Sequence, residues 1–297
     1  MLNVSLSNNA KVKVVQAFAY IGAILTLWFL WDTKLFLLSM FWGWLITGLG
    51  SSICLHNLSA HRSFVPKNRF IKIVLLFFGV IVSMGSTICW ADTHRLHHVT
   101  SDSHKDPHRP KGGLWQKVKM WFYYFPSYEV NPLRVKDLIA DKDHMWFHKH
   151  YYKLIIAWIV LLALIDIKYA AYFYCVSMLF VFFAISWVTV LAHIPQLGYG
   201  GYRLFDSDDY TYNSHVWAWI LWGEGYHNTH HSNPGMYDLA IRPGEYDYCA
   251  RLIELIGIPG DVKPKPFGNP RRGKELKDEF LNVTKRLDLL EENDRGK

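Results

Sequence analysis

Three short stretches of the chain are crowded with histidine: HNLSAH, HRLHH and HNTHH. In the second, His94, His97 and His98 stand at i, i+3 and i+4, and in the third His227, His230 and His231 repeat that spacing. Side chains so spaced share one face of a helix and converge on a common point. One such triplet is as readily a polar surface cluster, but its recurrence favours metal ligation.

The first stretch is looser. Five residues advance an ideal helix by about 140°, so His56 and His61 are expected to point differently and to flank two different metals. His193, closing an apolar run in VTVLAHIPQLG, is the ninth candidate among the 15 histidines. Nine ligands exceed the six that one ion accepts, whereas two ions with four or five imidazoles each keep a position open for oxygen or water. A dinuclear centre follows. Imidazole suits iron, copper, nickel and zinc, so ligand type alone leaves the metal open.

What holds these residues is apolar. The chain is 51% hydrophobic and 16% aromatic, too rich for an ordinary soluble domain. Four runs approach the length of a spanning helix, at about 14–31, 35–55, 152–167 and 169–192, the third reaching it only with Tyr151 and Tyr152. Each pair is joined by a tiny polar turn, Asp32-Thr33-Lys34 or Asp166-Ile167-Lys168, making two hairpins. Of 32 Lys and Arg residues only Lys34 and Lys168 lie at the tips, so the positive-inside rule places the bulk and both termini in the cytoplasm. The first run follows Lys11 and Lys13 and reads as a span, not as a cleaved leader.

A further apolar run at 70–90 is long enough to cross. Crossing would put His94 on the opposite side from His61, so an interfacial or re-entrant segment is expected, broken by Gly79, Ser83, Gly85, Ser86 and Thr87. The net charge of +7 is scattered with no nucleic-acid module, which excludes a nucleic-acid partner and fits anionic lipid or an acidic protein. Cys54, Cys89, Cys175 and Cys249 form no CxxC pair and read as free, mostly buried thiols. His144, His148, His150 and His215, outside the three stretches, read as surface or interfacial residues. In the tail at 268–297, Phe280, Val283, Leu287 and Leu290 mark a short amphipathic helix.

These boxes, in order and spacing, resemble those of the membrane fatty acid desaturases, in particular the acyl-CoA type that acts near mid-chain. The likeness extends to AHRSF, SDSHKDPH, DLIADKDHMWFHKHYYK, GEGYHNTHH and LIELIGIPGDVKPKP, over roughly 48–266. It implies one all-α membrane domain over 1–297: four transmembrane helices in two hairpins, with a cytoplasmic helical cap holding a di-metal site. It implies two irons bound by His56, His61, His94, His97, His98, His193, His227, His230 and His231, and an oxygen-dependent insertion of a cis double bond into a saturated acyl chain carried on CoA or a lipid.

Around those ligands, Asp106 and His108, with His104, are expected to brace the site; Asn228 joins this supporting shell, and Thr189 is placed to hold a water. Arg95, in the second box, meets a headgroup phosphate or pairs with an acidic residue. Three positions depart from the family's pattern: Asn57 where arginine is common, Thr93 where aspartate is common, and Thr189 where asparagine is frequent. Electrons are expected from an external carrier such as cytochrome b5 or ferredoxin, because the sequence carries no haem, flavin or iron–sulfur motif. The membrane is the endoplasmic reticulum or a bacterial inner membrane. A di-iron hydroxylase of fatty acids or alkanes shares these features, and a non-enzymatic metal-binding membrane protein is the more distant reading.

Overall fold

The computed structural model describes residues 9–109, 130–194, 201–268, 282–283 and 285–286. They are mainly helical, with one short two-stranded sheet. Among them four helices are long and apolar enough to cross a membrane: Lys11–Phe29, Thr33–His61, Lys142–Ile165 and Ile167–His193. Of the tail helix expected around Phe280, Val283, Leu287 and Leu290, the described residues 282–283 and 285–286 are helical, and Phe280, Leu287 and Leu290 lie outside the described residues.

The chain divides into two compact units, the first made of 1–95, 125–184 and 256–258 and the second of 96–124, 185–255 and 259–297. In the first unit, α1 (Asn9–Phe29) turns into α2 (Thr33–Ile46), which continues as a π-helix (Thr47–His61). Asp32 starts α2 by accepting the Leu35 amide at 3.0 Å. A second hairpin joins α6 (Lys142–Ile165) to α7 (Ile167–Ala170), where Asp166 caps in the same way through the Lys168 amide at 2.8 Å. From α7 the chain runs through a π turn (Ala171–Val176) into α8 (Ser177–Thr189), whose last part belongs to the second unit. The Tyr172 hydroxyl ties the hairpins together, accepting from the Asp32 amide at 2.7 Å and donating to the Leu30 carbonyl at 2.8 Å.

The third span starts earlier than its apolar run because Asp141 caps it through the amides of Asp143 and His144, adding polar turns to the start of the helix. The run at 70–90 is split. After β1 (Phe64–Pro66), α3 (Arg69–Ile81) buries Leu75, Leu76, Val80 and Ile81, a turn follows at 82–86, and α4 begins at Thr87 and ends at Thr100. The turn uses left-handed backbone at Ser83 and Gly85, with φ of 58° and 94°. The short α5 (Lys136–Ala140) precedes α6, and the Lys67 amide donates to the Ile256 carbonyl beside the β1–β2 pair, β2 being Gly257–Pro259.

The second unit carries three further helices, α9 (His215–Ile220), α10 (His227–Ser232) and α11 (Tyr248–Ile256). Apolar side chains on the first-unit helices face outward, Trp28 and Leu164 each being 80% exposed, as helices surrounded by lipid require. All four cysteines are free, three buried and Cys89 half-buried. Contrary to expectation, His144 and His148 are buried, because α6 packs their face inward; His215 is exposed.

Candidate metal centre

His56 and His61 overturn the expectation from ideal-helix geometry. They sit on the π-helix, whose hydrogen bonds run from i to i+5, so a residue lies nearly beneath the one five positions before it. The two rings meet edge to face with centroids 4.7 Å apart, and His94 of α4 packs against both at 4.7 and 4.8 Å. The Nε2 atoms of His61 and His94 are 2.8 Å apart. Trp90, one turn before His94, stacks on its ring at 4.6 Å and 16°. The first unit thus gathers three imidazoles from two elements.

The second unit gathers the others. His97, His193, His227 and His231 bring one ring nitrogen each within 4.8 Å of one another. Nε2 of His97 is 3.2 Å from that of His231, and Nε2 of His193 is 3.0 Å from that of His227. His193 projects from the 3-10 turn (Leu191–His193), and the short α10 presents His227 and His231 at i and i+4. His98 and His230 of the same unit also face each other, Nε2 to Nε2, at 2.9 Å.

Three carboxylates decide what these imidazoles can do. Asp106 faces Nδ1 of His97 at 2.8 Å, Asp102 faces Nδ1 of His193 at 3.0 Å, and Asp209 faces Nδ1 of His231 at 2.8 Å. Burial would raise the pKa of Asp106, but the charge of His97 and its hydrogen bond hold it below the usual carboxylate value. Asp209 is also held low against its burial, by the charge of His193 and by the hydroxyls of Thr211 and Ser207. A carboxylate accepts from the Nδ1 it faces, so in the neutral ring that a metal takes as ligand the proton sits on Nδ1 and Nε2 is the bare lone pair turned toward the other histidines. Burial, with the neighbouring His231 and His193, pushes the pKa of His227 far down, which keeps it a neutral ligand. Lone pairs 3.0–3.2 Å apart repel one another. A cation placed among them turns repulsion into coordination, so the donor set fits a metal.

The carboxylates are themselves fixed. Asp106 accepts the amides of Asp102 at 2.8 Å and His108 at 2.7 Å, Asp102 accepts the Tyr210 amide at 2.8 Å, and Asp209 accepts the hydroxyls of Ser207 and Thr211 at 2.7 and 2.6 Å. His108 packs its ring 4.8 Å from that of His97, while His104 is exposed. Asp102 and Asp209 were not singled out from the sequence. The available signal was their setting, in SDSHKDPH after the second box and in the acid-rich DSDDY before the third.

The Asn228 amide is fully engaged with the 204–207 loop. Its oxygen accepts from the Leu204 and Phe205 amides at 2.8 and 3.0 Å, and its nitrogen donates to the Phe205 carbonyl and the Ser207 hydroxyl. Arg95 pairs with an acidic residue, the second of its two expected roles. Its guanidinium makes five bonds inside the first unit, to the carbonyls of Ser59, Ala60 and Arg134 and to both oxygens of Asp137. No donor remains for a phosphate. The three departures from the family pattern share one fate: Asn57 donates to the Ser52 carbonyl, Thr93 to Cys89 and Thr189 to Ile185, each four or five residues back.

The fatty acid desaturase family model matches residues 31–242. The chain belongs to the fatty acid desaturase family. It is 32% identical over 232 residues to an sn-1 stearoyl-lipid 9-desaturase of Anabaena variabilis, covering 74% of this chain and 80% of that one. It is 30% identical over 256 residues to Delta-9 acyl-lipid desaturase 2 of Arabidopsis thaliana, covering 82% and 77%. With Acyl-CoA desaturase 1 of Saccharomyces cerevisiae it shares 27% over 242 residues, which is 77% of this chain and 46% of the yeast protein. This desaturase is therefore an oxidoreductase of fatty acyl chains in a membrane, and its histidine groups are those of a metal cofactor site.

Proposed function

We propose that this desaturase inserts a cis double bond into a saturated acyl chain, using molecular oxygen and two irons. The observation that carries the reading is the four-histidine group with three Nδ1 protons held by aspartates and the Nε2 lone pairs turned inward. Bound there, iron supplies the oxygen-dependent oxidation of two adjacent methylenes, a task beyond any side chain. The two carbons lose two hydrogens, and oxygen with two electrons and two protons leaves as two waters.

The chain's own residues hold and orient. His97, His193, His227 and His231 are assigned to one iron, and His56, His61 and His94 of the first unit and His98 and His230 of the second complete the nine ligands that the resemblance implies for the two. Asp102, Asp106 and Asp209 fix the tautomers, and Trp90 fixes the ring of His94. Burial of His193, His97 and His227 keeps water from the reaction. Thr189, one turn before His193, retains acceptor capacity toward a water, its own proton being engaged by Ile185.

The substrate proposed is an acyl-lipid or acyl-CoA, with the bond placed at carbon nine, as the names of the similar proteins favour. Electrons come from a separate acidic carrier, cytochrome b5 or a ferredoxin, attracted to a chain of net charge +7. Both termini face the cytoplasm, supported by the scarcity of lysine and arginine at the hairpin tips.

The test is the fatty acid profile, with double bonds localised by mass spectrometry, of cells expressing the wild-type chain or His230→Ala. A new monounsaturated acid that disappears in the variant is the expected result. A hydroxy acid in its place would overturn desaturation in favour of hydroxylation.

A further inference from the structure

The turn at 82–86 delivers the chain into α4, yet it lies buried: Ser83 is 0% and Ser86 2% exposed. Buried turns need partners for their polar groups. Here they come from a single face of α6. His144, His148 and Tyr151 stand at i, i+4 and i+7, and all three are buried. Nδ1 of His148 meets the Ser86 hydroxyl at 2.6 Å, Nδ1 of His144 meets the Thr87 hydroxyl at 2.9 Å, and the Tyr151 hydroxyl accepts the Gly85 amide at 2.9 Å. From the π turn of the fourth span, the Tyr174 hydroxyl reaches the Ser83 hydroxyl at 3.0 Å. Four contacts thus hold Ser83, Gly85, Ser86 and Thr87, the last being the first residue of α4.

The first-unit part of α4 is gripped at its other end by the five bonds of Arg95. Between the grips lie Trp90 and His94. A helix slipped by one residue turns by about 100° and moves by about 1.5 Å, which would carry the His94 ring away from His56 and His61.

We propose that His148, with His144, Tyr151 and Tyr174, is a positioning element that sets the register of α4 and so aims His94 at its metal. This rests on the functional reading above, in which His94 is an iron ligand. The two histidines act through their hydrogen bonds to Ser86 and Thr87, which distinguishes them from the nine ligands.

The experiment uses the full chain in detergent, as wild type, His148→Ala, His148→Gln, Ser86→Ala and the Ser86→Ala/His148→Ala pair. Iron per chain and ferrous affinity are measured beside kcat, KM for the acyl substrate and apparent Tm. His148→Ala is expected to weaken iron binding and lower kcat by roughly tenfold with KM unchanged, as loss of a supporting contact does at metal sites. Gln, which keeps a hydrogen-bonding group, is expected to recover most of both, and the double variant to lose no more than His148→Ala alone. If His148→Ala fails to fold, Ser86→Ala, which removes only a hydroxyl, carries the same expectation at smaller size. Unchanged iron affinity and kcat, a change in KM alone, or Gln no better than Ala would overturn the inference. A wild-type chain that holds no iron would instead overturn the functional reading, and this inference with it.

Discussion

His97 and Asp106 face each other at 2.8 Å, imidazole Nδ1 to carboxylate, both almost fully buried. The pair converts a titratable ring into a ligand of fixed tautomer, and Asp102 and Asp209 repeat the arrangement on His193 and His231. Three different chain segments therefore arrive at one solution.

Replacing Asp106 or Asp209 by Asn removes the fixed negative charge while keeping the size. Metal affinity is expected to fall by about 10- to 100-fold in each variant, read by chelator competition and metal analysis of the purified protein. Affinity unchanged in both would show that the tautomers are set elsewhere.

Arg95→Lys separates clamp from headgroup contact. Lysine cannot reproduce the fork across both oxygens of Asp137 or reach three carbonyls. A loss of about 2 kcal/mol is expected, seen as a lower apparent Tm, with KM for the acyl substrate unaltered.

Asp247 gives the second unit a pH-dependent stability. Burial raises its pKa from 3.8 to about 7; the amides of Leu239 and Ala250 oppose this, and Asp238 and Glu224 add to it. The folded state thus keeps a proton that the unfolded chain releases, so stability falls as pH rises from about 4 to about 7. The apparent Tm of the wild type should decline across that window, and Asp247→Asn should flatten the decline even though it weakens one backbone bond.

Gly223, just before the third box, has φ of +84°, and a Cβ there would run into the carboxylate of Asp247. Gly223→Ala combines left-handed strain with a clash in a buried site, so a loss of more than about 1 kcal/mol is expected in thermal unfolding. The same substitution at Gly244, where φ is +87° but the space is open, should cost less.

The sequence made the candidate ligands legible because metal ligation demands side-chain types that are conspicuous in a chain otherwise rich in apolar residues. It made the hairpins legible because Asp32 and Asp166 are helix-capping residues set between apolar runs. It concealed Asp102 and Asp209, since an aspartate that orients a histidine looks like any loop aspartate until distance is known; Asp209 lies 22 residues from His231. His144 and His148 were misread for a related reason: a histidine satisfied by a buried hydroxyl carries no local signature. Spacing could not choose between the two roles expected of Arg95, because bonds to three distant carbonyls and one carboxylate leave no trace in it.

The π-winding at His56 and His61 has a consequence for anyone transplanting this box into another scaffold. On an ordinary α-helix the same six letters would deliver two diverging imidazoles, and a graft would need three or four residues of separation to recover the pair. The spacing of the first box is thus written in the dialect of a wider helix, and it reads as a pair only where the chain winds that way.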